Sequence, residues 1–346
     1  MSKTADPIYQ RGLSAFLRHL SGVSLAVLLL AGPLAQATVR TDPYQVTVPM
    51  TDRSEGAHTA AFEAAMRTVL VRVTGRRSAG EDAALAPLIG EARRFVQQYR
   101  PAADNQLTVA FDGKAIDRWL VQNGQPIWGR DRPATFVWLA LPPAGAQVAM
   151  VVKNDDTSDQ KDAVDAEASL RGIPLRWPNA AELQAHHIDY AAVVNSSNAT
   201  LADLGQRLGG DAVLIGRPVT NNGVTSIRWA HQFQDSSGEF GAAAEGVDGV
   251  ADLYAGLYAA SGSPTAVDVE IGGLVDVTAY AKVQTYLESL AFVSHVSVRS
   301  LNADRALFRL TVRGGAGALQ RAIAGNGSLE SLAATDGSVL RFTLRK

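Results

Sequence analysis

Apolar and polar residues first alternate at 44–50, Tyr-Gln-Val-Thr-Val-Pro-Met. That pattern predicts a strand, and Pro49 places it near a sheet edge because proline cannot donate to a ladder. The period then changes. Phe62, Met66, Leu70 and Val73 recur at helical spacing over 58–73, and Gly75 supplies a stop. A second helical region is expected over 83–99, interrupted near Pro87, and a short strand over 107–111. Ile116, Leu120 and Val121 share one side of a helix over 114–121. Together these elements predict a mixed α/β domain over 43–128.

Trp128-Gly-Arg-Asp-Arg-Pro133 reads as a turn that feeds a strand over 134–141. Phe136, Val137, Trp138, Leu139 and Leu141 make this strand apolar on both faces, as the middle of a covered sheet requires. A strand over 147–152, a polar turn over 153–161, a helix over 162–170 and a strand over 173–177 closed by Pro178 follow. Leu201, Leu204 and Leu208 then mark a helix over 199–208, with Thr200 as a local cap and Gly209-Gly210 as its end. A buried strand over 211–216, an alternating strand over 226–233 and a helix over 247–259 complete a second α/β domain, 134–260, whose last strands are antiparallel.

Ser261-Gly-Ser-Pro264 has the composition of a linker. Beyond it the chain reads as strand 266–271, helix 278–290, strand 293–298, strand 306–312, helix 316–324 and strand 339–344. Tyr280, Val283, Tyr286, Leu287 and Leu290 give the first of these helices a sheet-facing stripe. This βαββαβ order predicts a ferredoxin-like domain over 265–346. The fold class is therefore α/β and α+β, multidomain: mixed-sheet α/β modules followed by a C-terminal ferredoxin-like domain.

The N-terminal segment belongs to none of these domains. Arg11, Arg18 and His19 precede an apolar run from Leu20 to Ala31, and Ala35-Gln36-Ala37 offers small residues for cleavage. Residues 1–37 thus read as a signal peptide cleaved after Ala37, which sends the remainder to the periplasm. A retained membrane helix is the competing reading, but the run falls short of the roughly 20 residues needed to span a bilayer and Gly32-Pro33 would break it. Membrane contact is then limited to the signal segment before cleavage.

The chain has 32 Lys+Arg against 34 Asp+Glu, and the first 37 residues contribute Lys3, Arg11 and Arg18 against Asp6 alone. What remains is mildly acidic and carries no basic block, which argues against nucleic acid as a partner. The absence of cysteine excludes a disulfide scaffold, a thiol nucleophile and a thiolate metal site.

Chemistry-bearing patterns are sparse. Trp119, Trp138, Trp177 and Trp229 sit where large aromatics fill cores. Trp128 differs, since its turn also carries Arg130, Asp131 and Arg132. Trp128, Arg130 and Arg132 are the candidate ligand-binding or interdomain contact residues. His186-His187 with Asp189 resembles a metal cluster, but adjacent histidines do not share a face in regular structure. Asp155, Asp156, Asp159, Asp162, Asp165 and Glu167 lack the offsets of a calcium loop, and read as a solvated turn and helix start. Gly314-Gly315-Ala-Gly317 lacks the lysine and hydroxyl of a phosphate-binding loop. No catalytic residue, cofactor site or metal site is nominated.

Val71-Arg-Val-Thr-Gly75, the stretch from Trp128 to Trp138, Arg171-Gly-Ile-Pro-Leu-Arg-Trp-Pro178 and Gly210-Asp-Ala-Val-Leu-Ile-Gly216 together resemble the bacterial DUF2066 family, over roughly 43–345. That resemblance implies an uncharacterised envelope protein and supplies no catalytic residues. The Gly210–Gly216 transition is also similar to those in periplasmic α/β domains of envelope assembly proteins. The resulting expectation is a non-enzymatic periplasmic module that binds an envelope protein partner. The alternative is a small-ligand binder or unrecognised enzyme using a cleft near Trp128 and Arg132.

Overall fold

The computed structural model describes residues 39–144, 148–233, 236–241, 243–290, 292–326, 329–332 and 339–345. The expected signal peptide, 1–37, lies outside them. No helix among the described residues is long and apolar enough to cross a membrane.

The first unit runs β1 (Val39–Arg40), β2 (Gln45–Pro49), α1 (Glu55–Thr74), α2 (Ala86–Gly90), β3 (Val96–Ala102), β4 (Gln106–Phe111) and α3 (Gly113–Gln122). β2 and β3 flank β4 in an antiparallel sheet. Phe62, Met66, Val69, Leu70 and Val73 on α1 share a buried cluster with Val46, Val48, Leu107 and Val109 from that sheet. Ser54 starts α1 by accepting the Ala57 N–H, and Gly75 ends it in the left-handed region at φ 73°. The helix expected over 83–99 is corrected. It is broken into 3-10 turns and the short α2, which has Pro87 in its first turn, and the chain then becomes β3.

The central unit contains β5 (Asp131–Arg132), β6 (Thr135–Leu141), β7 (Met150–Val151), α4 (Asp159–Arg171), β8 (Leu175–Arg176), α5 (Ala180–Ala185), α6 (Tyr190–Asn195), α7 (Asn198–Arg207), β9 (Ala212–Asn221), β10 (Val224–Phe233), β11 (Ser236–Phe240) and α8 (Ala243–Tyr258). Its sheet has the order β11-β10-β9-β6-β7, with β8 also paired to β6. β6 is parallel to β8 and β9, whereas β9, β10 and β11 form an antiparallel meander. Every residue of β6 is buried, as its two-faced apolar pattern requires. One face carries Val137, Leu139 and Leu141 toward a cluster with Val164, Val250 and Tyr254, so α4 and α8 cover it. The other carries Phe136, Trp138 and Ala140 toward Val193, Leu201 and Leu204 of α6 and α7.

The last unit comprises β12 (Pro264–Gly272), α9 (Val277–Ser289), β13 (Val293–Asn302), β14 (Arg305–Arg313), α10 (Gly315–Asn326), β15 (Leu329–Leu332) and β16 (Val339–Leu344). Its sheet order is β13-β14-β12-β16-β15. The expected βαββαβ succession is present, with β15 added as an edge strand. β16 lies beside β12 and parallel to it, while β15 pairs antiparallel with β16. The architecture as a whole is mixed α/β and multidomain, with four sheets among the described residues.

The C-terminal unit has its own buried cluster, in which Phe308 stacks on Tyr280 at 6.0 Å. All five tryptophans precede this unit in the chain, so their fluorescence does not report on it. Phe308→Ala is expected to cost about 3–5 kcal/mol locally. In urea, circular dichroism should show an early transition while the tryptophan midpoint stays in place. Equal shifts in both signals would show that the cores unfold as one.

Candidate functional site

The ends of α1 and α4 converge on one side chain. An α-helix leaves its last carbonyls without intrahelical donors and concentrates partial negative charge there. The Arg132 guanidinium, 0% exposed, donates from Nη2 to the Arg72 carbonyl at 2.7 Å and from Nη1 to the Arg171 carbonyl at 3.2 Å. Its Cζ lies 3.8 Å from the centroid of the Trp128 ring, a cation–π distance. No carboxylate bonds to it among the described residues. Burial first, then the neighbouring charges of Arg72 and Arg171, pull the Arg132 guanidinium down to a pKa of about 9.

Arg171 reinforces the junction from the α4 side. Also fully buried, it donates to the Gly75 carbonyl at 2.9 Å, to Asp248 at 2.6 Å and to Asp252 at 2.5 Å. The same end of α1 is therefore capped by a residue of α4, and α8 supplies the carboxylates. Arg77 bonds to both Glu167 and Asp248. Burial raises the Glu167 carboxyl, and its proximity to Asp248 adds to this. Asp248 is also opposed by burial, but Arg77, Glu167 and Arg171 hold it below the usual range. Arg72 completes the set, with bonds to the Ser169 and Gln45 carbonyls.

Both glycines that end these helices are required by the junction. Gly75 and Gly172 have φ of 73° and 70°. A Cβ on Gly75 would lie 2.4 Å from the Ala255 Cβ, and one on Gly172 would lie 3.2 Å from Arg132 Nη1.

Trp128 is fully buried. Its main-chain N–H donates to the Val73 carbonyl at 2.6 Å, and its ring meets Tyr254 edge-on at 6.2 Å. Arg130 stands apart from this pair. Its guanidinium lies 5.0 Å from the centroid of the Tyr44 ring and 3.5 Å from Asp42. Its carbonyl accepts from the Thr41 N–H and hydroxyl. Tyr44 in turn donates to Asp117 at 2.5 Å. A cleft of ≈ 190 Å³ borders the junction between Thr41–Pro43 and Ser169–Pro174, but neither Trp128 nor Arg132 lines it.

The other polar patterns have local roles. His186 caps the C-terminal end of α5, His187 adopts φ 53°, and Asp189 accepts the Ala192 N–H at the start of α6. Asp156 accepts the Lys153 N–H, and Asp165 takes the Trp177 indole and the Lys161 ammonium. Sequence reasoning missed a second cleft, of ≈ 450 Å³, lined by Arg53, Glu55, His58, Phe62, Arg93 and Tyr99. Phe62 and Tyr99 meet there at 5.3 Å. The strand that carries Tyr99 into the cleft lies partly within the segment whose pattern predicts a helix over 83–99. His231 was also missed. It is buried against Phe240 at a centroid distance of 4.9 Å, with its ring beside Gly238.

A family model described as a domain of unknown function, DUF8605, matches residues 37–129. This corrects the resemblance to DUF2066, which no comparison supports. The motifs behind that resemblance are a left-handed glycine after a helix, a buried strand and a helix-to-strand turn, which many α/β chains share. Neither a curated protein nor a solved structure matches.

Replacing Arg132 leaves two helix-end carbonyls buried without donors. Arg132→Ala is expected to destabilise by about 3–5 kcal/mol, and Arg132→Met, which keeps the packing on Trp128, by about 2 kcal/mol. Urea unfolding measures both, and a Met variant as stable as the parent would contradict the capping role. His231 generates a pH effect. Burial holds its folded pKa below 6.5, so the unfolded chain takes up the proton first and stability falls as pH drops through the unfolded value. His231→Phe should lose less stability than the parent between about pH 8 and about pH 5.5. Identical losses in the two proteins would assign the acid sensitivity to other groups.

Proposed function

We propose that this chain is a non-enzymatic periplasmic protein that binds another protein of the cell envelope, as an interaction or assembly module. The reading is carried by where apolar surface remains exposed. Tyr99, Val148 and Val224 are exposed in the first two units, but most of the exposed large apolar side chains belong to the C-terminal unit, among them Val275 and Val277 at 79% and 81%, Leu301 at 58% and Val298 at 39%. The Leu274 N–H donates to the Asp304 carbonyl at 2.8 Å, which holds the loop before α9 against the β13–β14 turn and so brings Val275 and Val277 to the same end as Leu301. Clustered exposed aliphatics favour a partner contact. At the Trp128–Arg132 junction, by contrast, the Nη donors of Arg132 and Arg171 are engaged by helix-end carbonyls and by carboxylates of the chain itself. The N-terminal export pattern supports delivery to the periplasm.

The test is capture of the full chain from an envelope fraction after mild cross-linking. A reproducible protein partner is expected. Val277→Asp combined with Leu301→Asp should reduce its yield at least about tenfold with little change in stability, since both positions are solvent-exposed. Undiminished capture would remove the C-terminal patch from the reading, and no reproducible partner would overturn the reading itself.

A further inference from the structure

β13 is the longest edge strand among the described residues and contains no proline, glycine, lysine or carboxylate. The other long edges are blunted: β2 and β3 contain Pro49 and Pro101, and β11 contains Gly238. Beyond its pairing with β14, the only other backbone bond of β13 among the described residues runs from the Val293 N–H to the Leu290 carbonyl. One ladder side is therefore open to another chain.

The side chains along this edge continue the core outward. Val296, Val298 and Leu301 pair with Leu310, Phe308 and Ala306, all buried beneath the helices. Directly opposed residues of an antiparallel pair share a face. An added strand would thus extend an existing apolar layer over Val298 and Leu301.

Arg299 sets the chemistry of the occupant. β13 shifts register between Val298 and Ser300, which leaves Arg299 as the extra residue of a bulge. Bulges redirect side chains at sheet edges. The carboxylate across the sheet, Asp268, is already held by Arg309 through bonds of 2.7 and 2.6 Å. The Arg299 charge also acts on Asp268, but it forms no ion pair among the described residues, because the Asp268 carboxylate bonds to Arg309 instead. Two copies pairing through β13 would place an Arg299 from each chain along one seam, which like-charge repulsion disfavours. We propose that β13 receives an extended acidic–apolar segment of a different protein as a sixth strand of the C-terminal sheet, with a carboxylate of that segment meeting Arg299. This rests on the partner-binding reading above and names its surface and mode.

The test uses the full chain and a fluorescein-labelled peptide of about ten residues, alternating Val and Thr with one central Glu. Binding is expected by anisotropy, with hydrogen-exchange protection of the β13 amides. Arg299→Glu should weaken it at least about tenfold and confer binding to the twin peptide carrying Lys in place of Glu. A twin peptide with two prolines should not bind. Binding that ignores Arg299→Glu or the prolines, or protection confined to other strands, overturns the proposal. So does a dimer of the chain that Arg299→Glu disrupts, because the occupant would then be a second copy. Peptide failure alongside successful envelope capture overturns the β13 assignment and leaves the partner-binding reading standing. Failure of both experiments overturns both.

Discussion

Two helix C-termini pointing at one place create an electrostatic problem that the rest of the structure solves. The last carbonyls of α1 and α4 carry partial negative charge into a region closed to water. Arg132 meets both sets with one planar guanidinium and rests its face on Trp128. An isolated buried cation is costly, and the depressed pKa of Arg132 expresses that cost. Its compensation comes from oriented dipoles and a π face instead of a carboxylate. α1 backs the first sheet and α4 backs the central one, so this single residue helps define how the two meet.

Three arginines in one small volume need negative charge nearby. Arg171 is offset by Asp248 and Asp252 and Arg72 by the charge of Asp42, while Glu167 on the outer side pairs with Arg77. Arg171 mediates between the layers, with one bond inward to the Gly75 carbonyl and two outward to α8. The pairs are unequal. Arg171 is buried and held on several sides, whereas the Arg93–Glu55 pair is largely solvated and contributes little. Removing a partner from the inner layer strands a buried charge or carbonyl, while the surface pairs can exchange with water.

Much of the fold was legible because burial writes a periodic pattern. The two-faced apolar run of β6 and the helical spacing of α1 both survive in the structure. Val96–Ala102 did not read as a strand because Phe95, Val96 and Tyr99 mimic helical spacing, and pairing with β4 overrides local pattern there. α5 and α6 span six residues each, too short to show a period, although Asn179 and Glu182 form a capping box visible in the sequence. Trp128 and Arg132 stood out by residue type and proximity. Their partners did not, because the bonded groups at Arg72 and Arg171 are main-chain carbonyls, which every residue has. Their meeting depends on where two helices end in space.

The same distinction between side-chain identity and main-chain position separates the two ends of the molecule. At the junction of the first two units, main-chain acceptors are buried and specific cations are committed to them. Where the C-terminal unit meets its neighbour, Tyr258 packs on its core and small residues approach closely: a Cβ on Gly314 would lie 3.2 Å from the Ala260 Cβ, and Ala260 itself bridges Ile127 through paired backbone bonds. Such a contact needs close backbone approach and consumes no charged side chain. Of the arginines of the last unit, Arg313 acts on Asp117 of the first through its charge, Arg309 is matched by Asp268 and Arg299 is placed on a bulge. The ion pairs that bind the first junction lie in the first two units, while Arg299 lies beside exposed aliphatics in the third. That division follows from how each interface satisfies its backbone.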